Sequence, residues 1–303
     1  MSTPLRTALG QAHHTLAEAG LPSPSADAQV LAAHVLGVGK GELARQIVLG
    51  AGFDQVQQRR FDELVQRRAQ RLPLQHLTGR AGFRRLELLV GPGVFVPRAE
   101  TELVAGIAIG AASALAAQGE RPVVADLCTG SGAIALAVAD EVPQARVVAV
   151  ELDPPAVEWA RRNVEHHRLE GRVEIRAGDA VRADRAVLAD LAGAVHIVTA
   201  NPPYIPPDAE PAEPEVRDHD PALALYGGGD DGLATIRAVA AAAAGLLKPG
   251  GLFVMEHGDL QGPAARSVIA GPGWEQASTE RDLAGRDRAL VARRSENAPS
   301  HSD

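Results

Sequence analysis

The sequence predicts an α/β protein: a doubly wound, mainly parallel sheet preceded by a small helical domain. Three observations carry that expectation. From about Ala99 onward, apolar β-branched runs alternate with helical segments, as βαβ units require. Two of these runs end in loops rich in glycine or proline, the place where such sheets bind ligands. Residues 1–75, by contrast, show no strand alternation and read as helices.

The expected organisation is a helical domain over 1–75, a β-hairpin linker over 76–98, the sheet domain over 99–294 and a polar, disordered tail over 295–303. In the first part, Leu5, Leu9, Leu16 and Ala19 recur at helical spacing until Leu21-Pro22-Ser23-Pro24 breaks the run. A second helix, capped by Ser25 or Asp27, contains Val30, Leu31, Ala33, His34 and Leu36 and ends near Gly37. A third runs from Asp54 to Arg71 with Phe61, Leu64 and Val65 on one face. Between Arg80 and Val96, the positions of Phe83, Leu86, Leu88 and Val90 suit a hairpin, with Gly91-Pro92-Gly93 as its turn.

In the sheet domain, residues 122–127 read as a strand, followed by Cys128-Thr129-Gly130-Ser131-Gly132-Ala133 and a helix from Ile134. A strand, a glycine-rich turn and a helix N-terminus form a nucleotide-type site, because glycines let the backbone approach a ligand closely. The next strand, from Arg146, ends in Glu151. That acid lies 19 positions after Gly132, close to the ~20 expected of an acid that binds ribose hydroxyls. Asp179 and Ala180 follow a third strand at Val173, where an adenine would lie, although Asp179 is equally suited to capping a helix. Later strands are expected over 251–256, entered by the turn Lys248-Pro249-Gly250-Gly251, and as an antiparallel pair near Trp274 and Ala289-Leu290-Val291.

The most informative loop follows the strand over 194–200: Asn201-Pro202-Pro203-Tyr204. Two prolines stiffen it and remove two N–H donors, leaving carbonyl oxygens to face a ligand. The Asn201 side chain adds another carbonyl. The product is a rigid, acceptor-rich clamp suited to a planar NH2 group. His196, inside the strand, reads as a core histidine. Gly130 to Ala135 also fits G-x-G-x-x-A, so a nicotinamide or flavin dehydrogenase stays open. A dehydrogenase gives the clamp no task. A methyltransferase using S-adenosylmethionine (SAM) does: the glycine loop holds the amino-acid end, Glu151 the ribose, and the clamp the nitrogen to be methylated.

Several runs then resemble one family, the protein-(glutamine-N5) methyltransferases that modify peptide chain release factors. They are Asp126 to Ala133, Asn201 to Ile205, Asp282 to Arg288, Pro73 to Gly79, Val94 to Glu102, and Asp220 to Tyr226 with Gly229 to Leu233. The resemblance spans about Pro73 to Arg293. It implies a Rossmann-like seven-stranded class I methyltransferase sheet. It also implies cofactor contacts from Asp126, Cys128, Thr129, Gly130, Ser131, Gly132, Glu151, Asp179, Ala180 and Asn201. Asn201, Pro202 and Tyr204 would carry catalysis, with Pro203 and Phe95 also lining the substrate pocket. The clamp alone is shared with adenine-N6 and guanine-N2 methyltransferases, so a nucleic-acid base methyltransferase is the alternative. Two departures stand out: Cys128 replaces a usual glycine, so the backbone must avoid positive φ there or accept strain, and Glu151 replaces a usual Asp.

Composition bounds the rest. At 303 residues with 46% hydrophobic and 3% aromatic content, the chain can build an aliphatic core but offers few stacking platforms. A formal charge of −8 argues against broad nucleic-acid binding. The single cysteine excludes an internal disulfide, and with no charged-then-apolar leader a cytoplasmic location is expected. The run from Ala238 to Leu247 is too short to cross a bilayer, so no membrane span is expected. No His/Cys/Asp cluster has metal-ligand spacing. Arg59, Arg60, Arg67, Arg68, Arg71, Arg80, Arg84 and Arg85 crowd one stretch and suggest a docking surface for an acidic protein, the release factor. Acidic residues follow the clamp between Asp208 and Asp231.

Overall fold

A computed structural model describes residues 3–296. They form two compact units: Met1–Arg80 with Ala212–His219, and Ala81–Pro211 with Asp220–Asp303.

The first unit is built from helices Leu5–Glu18, Pro24–Leu36, Lys40–Val48, Gln55–Ala69 and Leu74–Thr78, with a short bridge between Thr3–Pro4 and Gly52–Phe53. Leu5, Leu16, Leu31, Phe53 and Phe61 fill its centre. The Asp54 side chain accepts from the backbone N–H groups of Val56 and Gln57, while Gln57 returns a bond to the Asp54 N–H. This reciprocal cap fixes where that helix begins. The second helix starts at Pro24, with Ser23 in the cap position. Neither Ser25 nor Asp27 caps it: Ser25 Oγ pairs with His13, and Asp27 is buried. The helix Lys40–Val48 had no counterpart in the sequence reading; its apolar face is short, with Leu43 buried and Ile47 packed against the core.

Asp27 is buried because Arg68 reaches it, Nε to Oδ2 at 2.7 Å. The same guanidinium donates to Glu215 at 2.8 Å, and Arg71 donates to the other Glu215 oxygen at 2.8 Å. Burial acts to raise the Glu215 carboxyl, but bonds from Arg68 and Arg71 bring it below its ordinary range. The arginine-rich stretch is therefore not a single docking surface. Arg68 and Arg71 are committed inside the first unit, while Arg84 pairs with Glu141 and Arg85 with Asp140 in the second. Arg59, Arg60 and Arg67 remain exposed.

The second unit carries a seven-stranded sheet, here numbered in chain order: β1 (Val123–Leu127), β2 (Arg146–Glu151), β3 (Val173–Ala177), β4 (Val195–Ala200), β5 (Leu247–Glu256), β6 (Trp274–Arg281) and β7 (Asp287–Arg294). The spatial order is β6-β7-β5-β4-β1-β2-β3. β5, β4, β1, β2 and β3 are parallel, and β7 and β6 close the edge antiparallel. β1 and β4 lie side by side, so the glycine loop and the clamp leave the same end of neighbouring strands. Lys248 to Gly251, expected as a turn, lies inside β5 as a register irregularity.

Helices cover both faces. Val104, Ala105, Ala108 and Ile109 pack with Leu136 on one side, and Ile236, Val239 and Ala243 pack on the other. The stretch Ala99–Ala117 is long and apolar enough, by length and composition, to cross a membrane. The sequence reading, which weighed only the run 238–247, passed over it. Its inner face is nevertheless spent on the core of this sheet. A hairpin of Arg80–Phe83 and Leu86–Leu89 turns at Arg84, φ 51°, rather than at Gly91-Pro92-Gly93. His196 lies at the far end of the sheet, its Nδ1 accepting from the Val123 N–H and its Nε2 facing Glu120. Ser295, expected in a loose tail, is buried and bonds Glu275 at 2.6 Å. Residues 297–303 lie outside the described residues.

The Arg68 bridge generates a test. Arg68→Ala leaves Asp27 buried without its cation and Glu215 with Arg71 alone, and should destabilise the helical unit by about 3–5 kcal/mol. Arg59→Ala, on the exposed side of the same helix, should stay within about 0.5 kcal/mol. Denaturant melts of the two variants decide it, and equal losses would mean the bridge holds nothing.

Candidate functional site

The site is assembled at the carboxyl ends of β1, β2, β4 and β5. Asp126, next to last in β1, is fully buried. Its Oδ2 accepts from the Thr129 hydroxyl at 2.5 Å and its Oδ1 from the Thr199 hydroxyl at 2.7 Å. Burial pushes its carboxyl up to about 6, opposed by those two hydroxyls and the Ala135 N–H. With protein donors on both its oxygens, Asp126 supports the loop from beneath.

The glycine loop follows. Cys128 takes φ 59°, so the backbone accepts left-handed strain where a glycine would have none. Burial, then the charges of Glu151, Asp126 and Asp179, push its thiol well above the usual range, which makes it a poor nucleophile. Gly130 has φ 57° and open space where a side chain would begin. Gly132 takes φ 86° as the first cap of the helix Ala133–Glu141, and a Cβ there would run into Leu136. Thr129 and Ser131 are buried. Asn163, absent from the sequence reading, is fully buried behind the loop and donates to the carbonyls of Ser131 and Leu89.

Glu151 ends β2 and closes over this loop. One oxygen accepts from the Gly130 N–H at 2.7 Å, and the other from Leu152 and Asp153 at 2.8 and 2.9 Å. Burial raises its carboxyl, and the three backbone donors oppose the rise. The extra methylene relative to Asp is thus used to grip the loop itself. Asp179 caps the turn Ala180–Arg185 by accepting from the Val181 N–H at 3.0 Å; its side chain is exposed, and Ala180 is buried behind it.

The clamp is held from three directions. Asn201 donates from Nδ2 to the Thr101 hydroxyl at 3.3 Å, which turns Oδ1 the opposite way. The Tyr204 hydroxyl donates to Glu256, at the end of β5, at 3.3 Å. Burial and the neighbouring Glu256 charge raise the Tyr204 phenol far above its ordinary value. Gln261 donates to the Tyr204 carbonyl at 2.9 Å. Pro202 is buried and Pro203 half-buried. Behind the loop, Tyr204 and Ile205 donate to the Leu225 carbonyl, and Gly227 returns a bond to Ile205. A Cβ on Gly227 would run into the Gly232 carbonyl, and one on Gly232 would meet the Pro206 nitrogen at 2.8 Å. These two glycines exist because backbone packs on backbone there.

Phe95 is half-buried with Arg98 over its ring at 5.1 Å, and Arg98 pairs with Asp220. The clamp's own hydrogen-bond partners are Thr101, Glu256 and Gln261. Among the three neighbours, Glu256 had a readable signal: a lone acid ending an apolar run, as Glu151 does.

The comparisons with known proteins agree with this geometry. The PrmC N-terminal domain model matches residues 7–79, and the methyltransferase small domain model matches residues 90–211. A release factor glutamine methyltransferase from Streptomyces coelicolor is 50% identical over 288 residues, covering 94% of this chain and 96% of its own. One from Mycolicibacterium smegmatis is 46% identical over 296 residues, covering 96% and 98%. Among solved structures, the hMettl16 catalytic domain in complex with MAT2A 3′UTR hairpin 6 has a TM-score of 0.51 at 13% identity, covering 70% of this chain and 76% of that one. That likeness concerns the fold alone. With near-complete coverage at up to half identity, the chain belongs to the release factor glutamine methyltransferase family.

Proposed function

We propose that this protein transfers a methyl group from SAM to the N5 amide nitrogen of a glutamine in a peptide chain release factor, in the cytoplasm. The observation that carries the reading is the oriented Asn201 amide at the end of β4, beside the glycine loop at the end of β1. The residues present fit the cofactor. Gly130 leaves its Cβ position open, and Glu151 carries one backbone bond on Oε2, so a lone pair remains for a ribose hydroxyl. Thr129 to Gly132 and Glu151 would hold the cofactor, with Ala180 beside the adenine. Bound there, its sulfonium supplies an electrophilic methyl group.

The protein's task is to make a poor nucleophile react. A glutamine amide nitrogen shares its lone pair with its carbonyl. Asn201 Oδ1 and the Pro202 carbonyl accept the two amide N–H bonds, and these bonds strengthen as the nitrogen rehybridises and becomes positive. Acceptors fixed in advance stabilise charge that appears only in the transition state. Tyr204, anchored through its hydroxyl, walls the pocket. The methylated nitrogen can lose its proton afterwards, so no strong base is required. Incubation with labelled SAM, offering release factor, DNA and ribosomal RNA separately, tests the reading. Label entering only a nucleic acid would overturn it.

Two variants separate the parts. Asn201→Ala should lower kcat about 10²–10³-fold and leave cofactor affinity nearly unchanged. Single-turnover transfer at saturating cofactor reads this directly, and a parental rate would end the clamp mechanism.

Glu151→Ala should weaken SAM binding by about 1.5–3 kcal/mol, as loss of a charge-assisted bond does. Burial raises this carboxyl, and a hydroxyl donor favours its ionised form, so affinity should also fall as acid protonates it. Calorimetry at two pH values checks both; equal affinities with the fold intact would leave Glu151 as a loop brace only.

A further inference from the structure

Glu256 ends β5 with 2% of its surface exposed, and nothing in the transfer chemistry described so far uses it. It accepts the Tyr204 hydroxyl on Oε1 at 3.3 Å. Its Oε2 is buried and makes no hydrogen bond, yet the Thr101 hydroxyl is close enough to favour the ionised carboxylate. Thr101 is itself buried and accepts from Asn201 Nδ2. A threonine hydroxyl has one proton to give. While it accepts from Asn201 it can donate toward Glu256, and the line of bonds then has one direction: amide, hydroxyl, carboxylate.

We propose that Glu256 is a positioning residue for methyl transfer: as an acceptor for Thr101 and Tyr204, it fixes the Asn201 amide with its oxygen toward the substrate nitrogen. The proposal rests on the clamp reading above. An amide held only by shape could flip, since its oxygen and nitrogen are nearly the same size. Flipped, Asn201 would present a donor to a donor. The hydroxyl of Thr101 removes that freedom only if something beyond it accepts its proton.

The groups facing Glu256 come from three elements: Tyr204 from the clamp, Thr101 and Glu100 from the turn before the helix Glu102–Ala117, and Arg288 from β7. His257, the next residue, is kept below its ordinary value by burial. Burial pushes the Glu256 carboxyl up to about 7, while Thr101, Arg288 and Tyr204 hold it down and Glu100 adds to the rise. Protonation would place a donor where two hydroxyls need an acceptor. The chemical step should therefore speed up as pH rises through neutrality.

The test uses the full chain with a purified release factor and single-turnover transfer at saturating SAM, from pH 6 to 8.5. Glu256→Gln should react about tenfold more slowly at pH 8 and lose the rise near neutral pH, with cofactor Kd and substrate KM within about twofold of the parent. Thr101→Val should reproduce the loss, and Thr101→Ser should restore the rate. If Glu256→Gln does not fold, the Thr101 pair carries the test alone. A parental rate and profile in Glu256→Gln, or a parental rate in Thr101→Val, would overturn the proposal. Asn201→Ala run alongside separates the two failures. A slow Asn201→Ala beside a fast Glu256→Gln sinks only the positioning role, whereas a fast Asn201→Ala sinks the clamp itself.

Discussion

One buried carboxylate holds the site together. Asp126 receives Thr129 from the glycine loop and Thr199 from the strand that ends in the clamp. Two loops that must act on the same reaction are thus referenced to one side chain at the centre of the sheet. Charge at a fully buried position is unfavourable: burial, with the Glu151 charge nearby, pushes its carboxyl up to about 6 against three donors. Its visible effect is on position, since it ties the two loops to one point. Everything nearer the ligand inherits its geometry from this tie.

Much of the fold was legible in the sequence. The central strands are nearly continuous apolar runs because both faces are covered, and the pattern carries through from Val123 to Glu256. The places of the two loops were legible too, because glycine and proline have few uses at a strand end other than a turn. What was not legible depends on pairs far apart in the chain. Thr101 and Asn201 are 100 residues apart, and nothing in either neighbourhood announces the bond. The arginine stretch misled in the same way. A run of like charges reads as one surface until its ion-pair partners are located, and for Arg68, Arg71, Arg84 and Arg85 they lie at positions 27, 215, 141 and 140.

The clamp shows how rigidity is built without a regular element. Two prolines limit the backbone, a single bridge between Ile205 and Tyr226 stops the loop from lifting, and two glycines allow the return chain to lie against it. The family-like run Gly229 to Leu233 thereby acquires a physical reason, since Gly232 packs directly on the backbone of the clamp loop from Tyr204 to Pro206. Strain at Cys128 is the converse case, a local cost that the surrounding bonds to Thr129, Gly130 and Gly132 sustain.

The chain enters the helical unit a second time, for eight residues beyond the clamp, where Glu215 meets Arg68 and Arg71. Arg68 and Glu215 are 147 positions apart, yet neither can drift alone without stranding a charge. The helical unit is accordingly not an interchangeable module ending at residue 80. A chimera that swaps only the N-terminal segment splits the ion pair between two ancestries, and recombination within this family should respect the seam at 212–219 as well as the one at 80.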